Sequence, residues 1–364
     1  MRRFLQLAKF TVFEFLHSPV STAARIYRKP FRNLAKGQIA YLREVTRRAP
    51  LTLQIETINV CNAACIFCAY PGMKRKKGVM SMALFEKIVK DYEEMGGGAV
   101  SLTPIVGDAL MDPHLIDRIR VLKAHPAIKQ ISLTTNCIAL HKYSDEDVRY
   151  LLEALHCIQV SIGGLDAGTY KTMYGVDEFA HVEPAMERLI RLRASVTEAA
   201  SLTFAFRTAD WKFTGRFKKQ IEGYQQQGVF ISHMWTYANY GGRIKNNAKS
   251  GLMILDSQSN KHKTCIYPCI HAAICWDGTV TACSCTDLDC TQLKIGHVGE
   301  QALSGILSGE NRARILDSFK KGSLTGICRK CSAYQADIAF SQPYFCEVHP
   351  NQPLPLDFFH YMMT

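Results

Sequence analysis

Short apolar runs alternate with longer amphipathic stretches between residues 51 and 240. The apolar runs predict six strands, at 51–57, 99–103, 130–135, 157–162, 201–207 and 229–235. Helical periodicity between consecutive strands is typical of repeated βα units and a mostly parallel sheet. Six units are fewer than the eight that close a full barrel, so we expect an α/β fold with a partial (β/α)6 TIM-like barrel. The functional site should lie at the carboxyl ends of its strands.

Two of the intervening helices have recognisable start signals. Ser81 is a candidate N-cap for a helix that ends before the three glycines at 96–98. Ser144 and Asp147 have the spacing of a capping box, in which each side chain bonds the other residue's backbone N–H. We therefore expect helices to begin directly after Ser81 and Ser144.

The pattern changes beyond residue 242. Residues 274–283 predict a β-hairpin with Asp277-Gly278 at its turn, and a short helix follows at about 302–307. We therefore expect three parts: a basic helical N-terminal extension at 1–50, a core at 51–242, and a small cysteine-rich domain with a C-terminal tail at 243–364.

Charge is distributed unevenly along the 364 residues. The first 50 residues hold eleven Lys or Arg and two Glu, and thus +9 of the formal net charge of +12. The rest of the chain is nearly neutral, which argues against a generally basic nucleic-acid-binding body, and we expect no nucleic-acid partner.

An apolar stretch at 4–16 is interrupted by Lys9 and Glu14 and is too short to span a bilayer. Two interpretations remain: a helix docked on the core, or a peripheral contact with an anionic membrane surface.

Fourteen cysteines gather in close clusters, and no pattern of a cleavable signal peptide precedes them. Secreted disulfide scaffolds are shorter and spread their cysteines through loops. We therefore expect metal thiolates in a reducing cytoplasm. Peripheral contact of the N-terminus with the membrane stays open as an alternative for localisation.

Three of these cysteines, Cys61, Cys65 and Cys68, follow the first predicted strand with C-x3-C-x2-C spacing. Structural zinc sites and cubane iron–sulfur clusters both take four ligands, so three thiolates leave one metal corner open. The loop resembles that of the radical S-adenosylmethionine (SAM) enzymes; a zinc or disulfide loop is the alternative. The resemblance implies a 4Fe–4S cluster whose fourth iron binds exchangeable SAM, and reductive cleavage of SAM to a 5′-deoxyadenosyl radical by an electron from a flavodoxin- or ferredoxin-type reductant.

Further motifs of that family follow in order. Residues 105–113 resemble its Gly-Gly-Glu-Pro motif, with Val106 and Ala109 in place of the first glycine and the proline. Residues 131–136 and 160–164 resemble its strand ends, and polar residues also end the fifth and sixth strands. The resemblance and these positions imply a SAM-binding set of Gly107, Asp108, Asn136, Ser161, Arg207 and Asn239. No catalytic acid, base or hydrogen donor is assigned.

A basic run at 73–77, directly after the cysteine loop, has two interpretations. It is a solvated surface, or it attracts a phosphorylated or carboxylated substrate to the site.

The second cysteine set resembles the SPASM or shorter twitch extension of the same enzymes. The match implies one auxiliary 4Fe–4S cluster held by Cys265, Cys283, Cys328 and Cys331. A second cluster built from Cys269, Cys285, Cys290 or Cys346 is an alternative, and so is a zinc ribbon. We expect His271 and His297 to be hydrogen-bonded (satisfied) or exposed histidines rather than metal ligands.

The layout implies a radical SAM enzyme of oxidoreductase or epimerase type. It would abstract hydrogen from a small polar metabolite, carbohydrate-like or phosphorylated. The first alternative is a maturase of ribosomally made peptides, although the N-terminal extension is too short for the usual peptide-recognition domain. The alternative of another class is a zinc-binding or electron-transfer protein without catalysis.

Iron and acid-labile sulfide analysis of anaerobically purified protein tests the metal prediction. We expect about eight irons per chain, since two cubane clusters hold four each. Zinc without sulfide would contradict the enzyme interpretation.

Overall fold

The structure is a computed structural model that describes Pro50 and residues 52–334, except 209–214, 235, 246–250, 258–260, 262–263, 266 and 285. The predicted N-terminal extension, the C-terminal tail with Cys346, and Cys285 lie outside the described residues. Among the described residues, no helix has the length and apolar character needed to cross a bilayer.

Six parallel strands form the first part of the fold. They are β1 (Thr52–Ile55), β2 (Gly98–Ser101), β3 (Ile128–Thr135), β4 (Cys157–Ile162), β5 (Ser201–Phe206) and β6 (Phe230–His233). The helices between them are α1 (Met82–Glu94), α2 (Leu115–Ala124), α3 (Asp145–Ala154), α4 (Ala167–Tyr174), α5 (Phe179–Arg193) and α6 (Arg216–Gln226). Each strand pairs with the next in sequence, which confirms the predicted α/β class and partial barrel.

The chain then adds shorter elements. The strands are β7 (Thr236–Tyr237), β8 (Met253–Ile254), β9 (His271–Ile274), β10 (Thr279–Thr281) and β11 (Lys294–His297). The helices are α7 (Tyr267–Ile270), α8 (Leu303–Ser308), α9 (Glu310–Lys320) and α10 (Gly326–Lys330). Strands β9 and β10 form the predicted hairpin, and Gly278 takes the positive φ of 94° that its turn requires.

The hairpin is part of the barrel sheet, which the sequence did not reveal. Strand β9 pairs in parallel with β1, with Thr52 opposite His271 and Ile55 opposite Ile274. The sheet order is therefore β11-β10-β9-β1-β2-β3-β4-β5-β6. Without β9, one side of β1 would be an unpaired edge with free backbone N–H and C=O groups.

The two faces of each barrel strand differ in chemistry, because successive side chains point to opposite sides. In β4, Ile158, Val160 and Ile162 belong to the main apolar core, whereas Gln159 and Ser161 line an internal cavity. The same division holds in β1, where Leu53 and Ile55 are in the core. Burial of the outer face thus stabilises the barrel while its lumen stays polar.

Both predicted helix starts are present. The Ser81 side chain accepts a hydrogen bond from the backbone N–H of Leu84. Ser144 and Asp147 form a complete capping box at the start of α3. Each satisfies backbone donors that have no partner inside the helix.

A buried ion pair fixes the connection between β2 and α2. Asp112 Oδ2 lies 2.8 Å from Arg118 Nε on α2, and both side chains are fully buried. Arg118 also donates to the Met80 carbonyl and lies over the Phe85 ring.

Asp112→Ala should lower the free energy of unfolding by about 3–5 kcal/mol, because it leaves the Arg118 charge buried without its partner. Anaerobic urea denaturation measures this change. The control is Asp177→Ala, which removes an exposed ion pair to Lys171 and should cost at most about 1 kcal/mol. Equal losses in the two variants would contradict the structural role of Asp112.

Candidate active site and auxiliary cysteine cavity

The loop that follows β1 brings Cys61, Cys65 and Cys68 to one cavity of about 210 Å³. The loop packs on the C-terminal end of α4, where the backbone N–H of Ala64 donates to the Tyr174 carbonyl at 2.9 Å. Gly175 ends that helix with φ 69°, and a Cβ there would lie 2.6 Å from the Ala64 carbonyl oxygen. Helix α4 can therefore support the cysteine loop this closely only with glycine at its end.

The three thiols are in an environment that disfavours a free thiolate. Burial raises the pKa of Cys61 to about 12 and also raises the pKa values of Cys65 and Cys68. None of the three is in a disulfide. Metal ligation deprotonates such thiols and neutralises the resulting charge.

The donor set fits an iron–sulfur cluster. Among the described residues, no group of three or more His, Cys, Asp or Glu is arranged to hold a single metal ion. In a cubane cluster each thiolate binds a different iron, so its cysteines need not converge on one point. Three thiols around one cavity suit a cluster in which the fourth iron has no protein ligand.

Gly107 and Asp108 connect the loop after β2 to the cysteine loop. Gly107 has φ 134°, and a Cβ there would approach the Ile58 carbonyl oxygen to 3.0 Å. The backbone N–H of Asp108 donates to the Val60 carbonyl at 3.0 Å. Both residues line the cavity, and this close backbone approach explains why glycine is retained in an otherwise altered motif.

The Asp108 carboxylate is hydrogen-bonded to other residues of the protein. It accepts hydrogen bonds from Thr135 Oγ1 at 2.8 Å, from the Asn136 N–H at 2.6 Å and from the Leu110 N–H at 3.0 Å. Burial is the main influence on this carboxyl and raises its pKa. Asp108 thus joins the loop after β2 to the end of β3.

Asn136 lies beside the cysteine loop. Its Nδ2 donates to Asn62 Oδ1 at 2.7 Å and lies 3.8 Å from Cys61 Sγ. Its Oδ1 accepts from the Ile138 N–H at 3.0 Å. This pairing fixes the Asn136 amide at the cavity edge.

Arg207 places a buried positive charge at the same cavity. It donates to Ser161 Oγ and, at 3.2 Å, to the Tyr237 hydroxyl. Its guanidinium also lies over the Phe67 and Tyr237 rings, 5.7 and 5.5 Å from their centroids. Ser161 accepts a further hydrogen bond from Tyr174 OH at 2.7 Å. The structure therefore brings Ser161 and Arg207 together near the cysteine loop, at positions suited to an anionic group.

Four tyrosines in the cavity lining were not predicted, namely Tyr70, Tyr174, Tyr237 and Tyr240. Tyr70 OH accepts from the Cys61 N–H at 3.1 Å, while Tyr174 and Tyr237 flank the Phe67 ring. The position of Tyr70 two residues after Cys68 was the available sequence signal. Tyr174 and Tyr237 come from distant elements and gave no local signal.

Asn239 is not in the cavity lining. Its Nδ2 donates to the Lys330 carbonyl at 2.8 Å, and its Oδ1 accepts from the Ser332 N–H at 3.1 Å. Its side chain therefore contacts the segment around Cys331, whereas its neighbours Ala238 and Tyr240 line the cavity.

The basic run at 73–77 also lies outside the cavity lining. Arg75 pairs with the buried Glu56 through two contacts of 2.5 and 2.9 Å, and donates to the Leu288 carbonyl at 2.7 Å. Lys74, Lys76 and Lys77 are exposed. Arg75 thus joins the end of β1 to the C-terminal region.

The second predicted cysteine set meets at a smaller cavity of about 40 Å³. Its lining includes Cys265, Cys283, Cys328 and Cys331. Lys261 Nζ donates to the Cys328 carbonyl at 2.7 Å and to the Cys331 carbonyl at 2.5 Å. Four thiols around one small space fit a fully coordinated cluster, and the nearby ammonium group offsets its negative charge.

The described candidates for a second auxiliary cluster do not line that cavity. Cys275 and Cys290 are buried with their sulfurs 2.9 Å apart. Cys269 Sγ donates to the Cys265 carbonyl at 3.7 Å.

His271 differs from expectation. It is buried, and its Nε2 has no hydrogen-bond partner among the described residues. Burial lowers the pKa of His271 to about 4, so its ring is neutral. The prediction of a satisfied or exposed histidine was therefore wrong for His271, because β9 turns this side chain into the barrel cavity. His297 Nδ1, by contrast, accepts from the Gly299 N–H at 3.0 Å.

Comparisons with known families agree with this geometry. The radical SAM superfamily model matches residues 55–203, and the SPASM model, an iron–sulfur cluster-binding domain, matches residues 265–332. The chain contains a radical SAM domain followed by a SPASM domain. Its two matched domains imply a SAM-binding 4Fe–4S cluster and an auxiliary iron–sulfur cluster.

Curated relatives of this chain include GTP 3′,8-cyclases from several organisms. The Pasteurella multocida protein is 30% identical over 140 residues, or 37% of this chain and 40% of the relative. The Mannheimia succiniciproducens protein is 24% identical over 210 residues, which are 57% of this chain and 59% of the relative. The chain spans about two fifths of the length of the first relatives it matches.

Two solved structures share the fold. BtrN in complex with AdoMet and 2-DOIA aligns with a TM-score of 0.52 at 17% identity, covering 79% of this chain and 95% of BtrN. Streptococcus suis SuiB bound to precursor peptide SuiA aligns with a TM-score of 0.57 at 14% identity. The alignment covers 84% of this chain and 75% of SuiB.

Cys65→Ala should abolish SAM cleavage while the fold is retained, because it removes one of the three predicted cluster ligands. Anaerobic 5′-deoxyadenosine formation measures cleavage, and circular dichroism measures the fold. The control is Cys137→Ala, a buried cysteine outside the cavity lining, which should keep cleavage near the wild-type rate. Undiminished cleavage by Cys65→Ala would rule out the ligand role.

Proposed function

We propose that this radical SAM enzyme removes a hydrogen atom from a small, polar, carbohydrate-like metabolite, with oxidation or epimerisation as the net result. The observation that carries the proposal is a single cavity lined by three thiols, Arg207 and a polar barrel lumen. A radical initiator and a hydroxyl-bearing substrate would thereby share one space.

The residues at the carboxyl ends of the strands would hold the cofactors. Cys61, Cys65 and Cys68 would ligate the first cluster. The Gly107 backbone and the Asn136 amide would contact SAM, and the Arg207 guanidinium suits a carboxylate. When bound, the cluster and SAM supply a hydrogen-abstracting radical by one-electron cleavage of SAM.

The chain's own contribution is orientation and exclusion of water. The rings of Phe67, Tyr174 and Tyr237 pack against one another beside Arg207 and leave this wall of the cavity buried. A buried, pre-oriented guanidinium does not need to reorganise when its ligand binds. We assign Ser161 and Asp108 a positioning role, because their side chains hold Arg207 and Asn136.

The auxiliary cluster would be held by Cys265, Cys283, Cys328 and Cys331. Four protein thiolates leave no open iron, which favours electron transfer over direct ligation of substrate. When bound there, it would supply a one-electron acceptor for the oxidation outcome.

A carbohydrate-like substrate is favoured over a phosphorylated one. Arg75 is paired with Glu56, and the exposed lysines of the basic run do not line the cavity. Arg207 does line the cavity, but it would be taken up by the SAM carboxylate, so a phosphate ester would need a further cation within the site. Nucleotide rearrangement is the second candidate function, supported by the 30% identity to GTP 3′,8-cyclases within their matched segments.

Anaerobically reconstituted protein with dithionite and SAM tests the proposal. We expect 5′-deoxyadenosine to form, with deuterium transferred into it from a deuterated sugar but not from deuterated GTP. Label from D2O in recovered substrate would indicate epimerisation. If the wild-type protein leaves SAM intact, the proposed function is wrong.

Cys328→Ala distinguishes the roles of the two clusters. We expect SAM cleavage to persist while product formation fails, because only the auxiliary site is damaged. Product formation at the wild-type rate would contradict the electron-transfer role.

A further inference from the structure

The inner face of the barrel is polar from end to end. Closed barrels of this type usually fill their lumen with layers of bulky branched side chains. Here the cavity that holds the three thiols also has polar lumen side chains in its lining: Thr52, Gln54, Ser101, Ser132, Gln159, Ser161 and His271. Thr52 and His271 begin their strands, so they lie at the amino ends, opposite the cysteine loop.

Three of these side chains have buried polar atoms with no partner among the described residues. They are Thr52 Oγ1, Gln159 Nε2 and His271 Nε2, and the residues are 2%, 6% and 5% exposed. Gln54, in the same lumen, is different, because its Nε2 donates to the Thr103 carbonyl at 2.8 Å. Buried polar groups are nearly always paired in folded proteins, so three unpaired atoms around one cavity indicate a ligand.

The register places these residues in two separate parts of the barrel. Thr52 is directly opposite His271 across the β1–β9 pairing. Gln159 is opposite Thr203 across the β4–β5 pairing, and Thr203 Oγ1 is also buried without a partner among the described residues. Unpaired groups therefore occur on both sides of the lumen.

The chemistry of this set selects an uncharged ligand. A hydroxyl, an amide and a neutral imidazole both donate and accept hydrogen bonds, as sugar hydroxyls do. The charged side chains in the cavity lining are Asp108 and Arg207, and both belong to the end of the barrel where the cysteines lie. A phosphate group at the amino end of the lumen would have no cation to bind among the described lining residues.

We infer that Thr52, Gln159 and His271 form a polar floor that binds the uncharged, hydroxyl-bearing part of the substrate, while the reacting carbon faces the cysteine end. The inference rests on the proposed function. It also gives the C-terminal cysteine-rich region a direct contact with substrate, because His271 is on β9.

Thr52→Val and Thr57→Val form a matched pair of variants. Both delete a buried hydroxyl that has no partner among the described residues, at nearly constant side-chain volume. Only Thr52 lines the cavity. A purely structural effect would therefore appear in both variants, whereas an effect on ligand binding would appear in Thr52→Val alone.

The experiment is isothermal titration calorimetry on the anaerobically reconstituted, SAM-bound protein. The probes are D-glucose, myo-inositol, D-glucose 6-phosphate and GTP. We expect at least one neutral polyol to bind more tightly than both phosphorylated probes. Thr52→Val should weaken that binding about five- to tenfold, the effect of one lost hydrogen bond, and Thr57→Val should leave it unchanged. His271→Gln, which keeps a donor and an acceptor, should weaken it less than His271→Leu.

Several results would overturn the inference. They are tighter binding of D-glucose 6-phosphate or GTP, no binding of either polyol, or equal affinities in the two threonine variants. The last two results would mean that the floor holds water only. Substrate-free SAM cleavage is measured in parallel: if it is intact while polyol binding fails, the floor is wrong and the radical chemistry stands, and if cleavage is absent from the wild type, the proposed function fails.

Discussion

The parallel pairing of β9 with β1 is the constraint on which both cysteine sites depend. Strand β1 leads directly into the Cys61 loop, and β9 lies between Cys265 and Cys283. The pairing continues past the strand ends, where the Glu56 N–H donates to the Ile274 carbonyl at 2.8 Å. The Glu56–Arg75 ion pair then extends the connection to the Leu288 carbonyl. The two cysteine cavities are therefore fixed to one sheet rather than to two loosely connected domains.

Buried charge has a consistent place in this architecture. Glu56 is in an ion pair with Arg75, Asp112 is in one with Arg118, and Glu56, Asp112 and Arg118 have little contact with solvent. Such pairs are costly to break because the remaining charge is uncompensated, although they add little net stability compared with apolar packing. Arg207 differs, since its contacts are neutral hydroxyls and aromatic rings. Among these contacts its charge has no carboxylate partner, which suits recognition of an anion.

Local sequence signals predicted the local features well. The six strands, the capping box at Ser144 and the hairpin turn at Gly278 each depend on residues close together in the chain. The pairing of β9 with β1 joins residues more than two hundred positions apart, and no local pattern encodes it. The environment of His271 follows from that pairing, so it could not be predicted either. Asn239 was predicted to contact SAM because it follows a strand. Its side chain is instead hydrogen-bonded to the Lys330 carbonyl and the Ser332 N–H.

The alternation of side chains along the barrel strands separates two kinds of evolutionary pressure. Outward residues such as Leu53 and Val160 pack in the core, and their replacement would leave cavities and reduce stability. Inward residues such as Gln159 and His271 contribute little to that packing. The lumen can therefore accept substitutions while the scaffold keeps its shape, and neighbouring positions on one strand can evolve independently. A barrel of this kind can acquire a new specificity without first losing its fold.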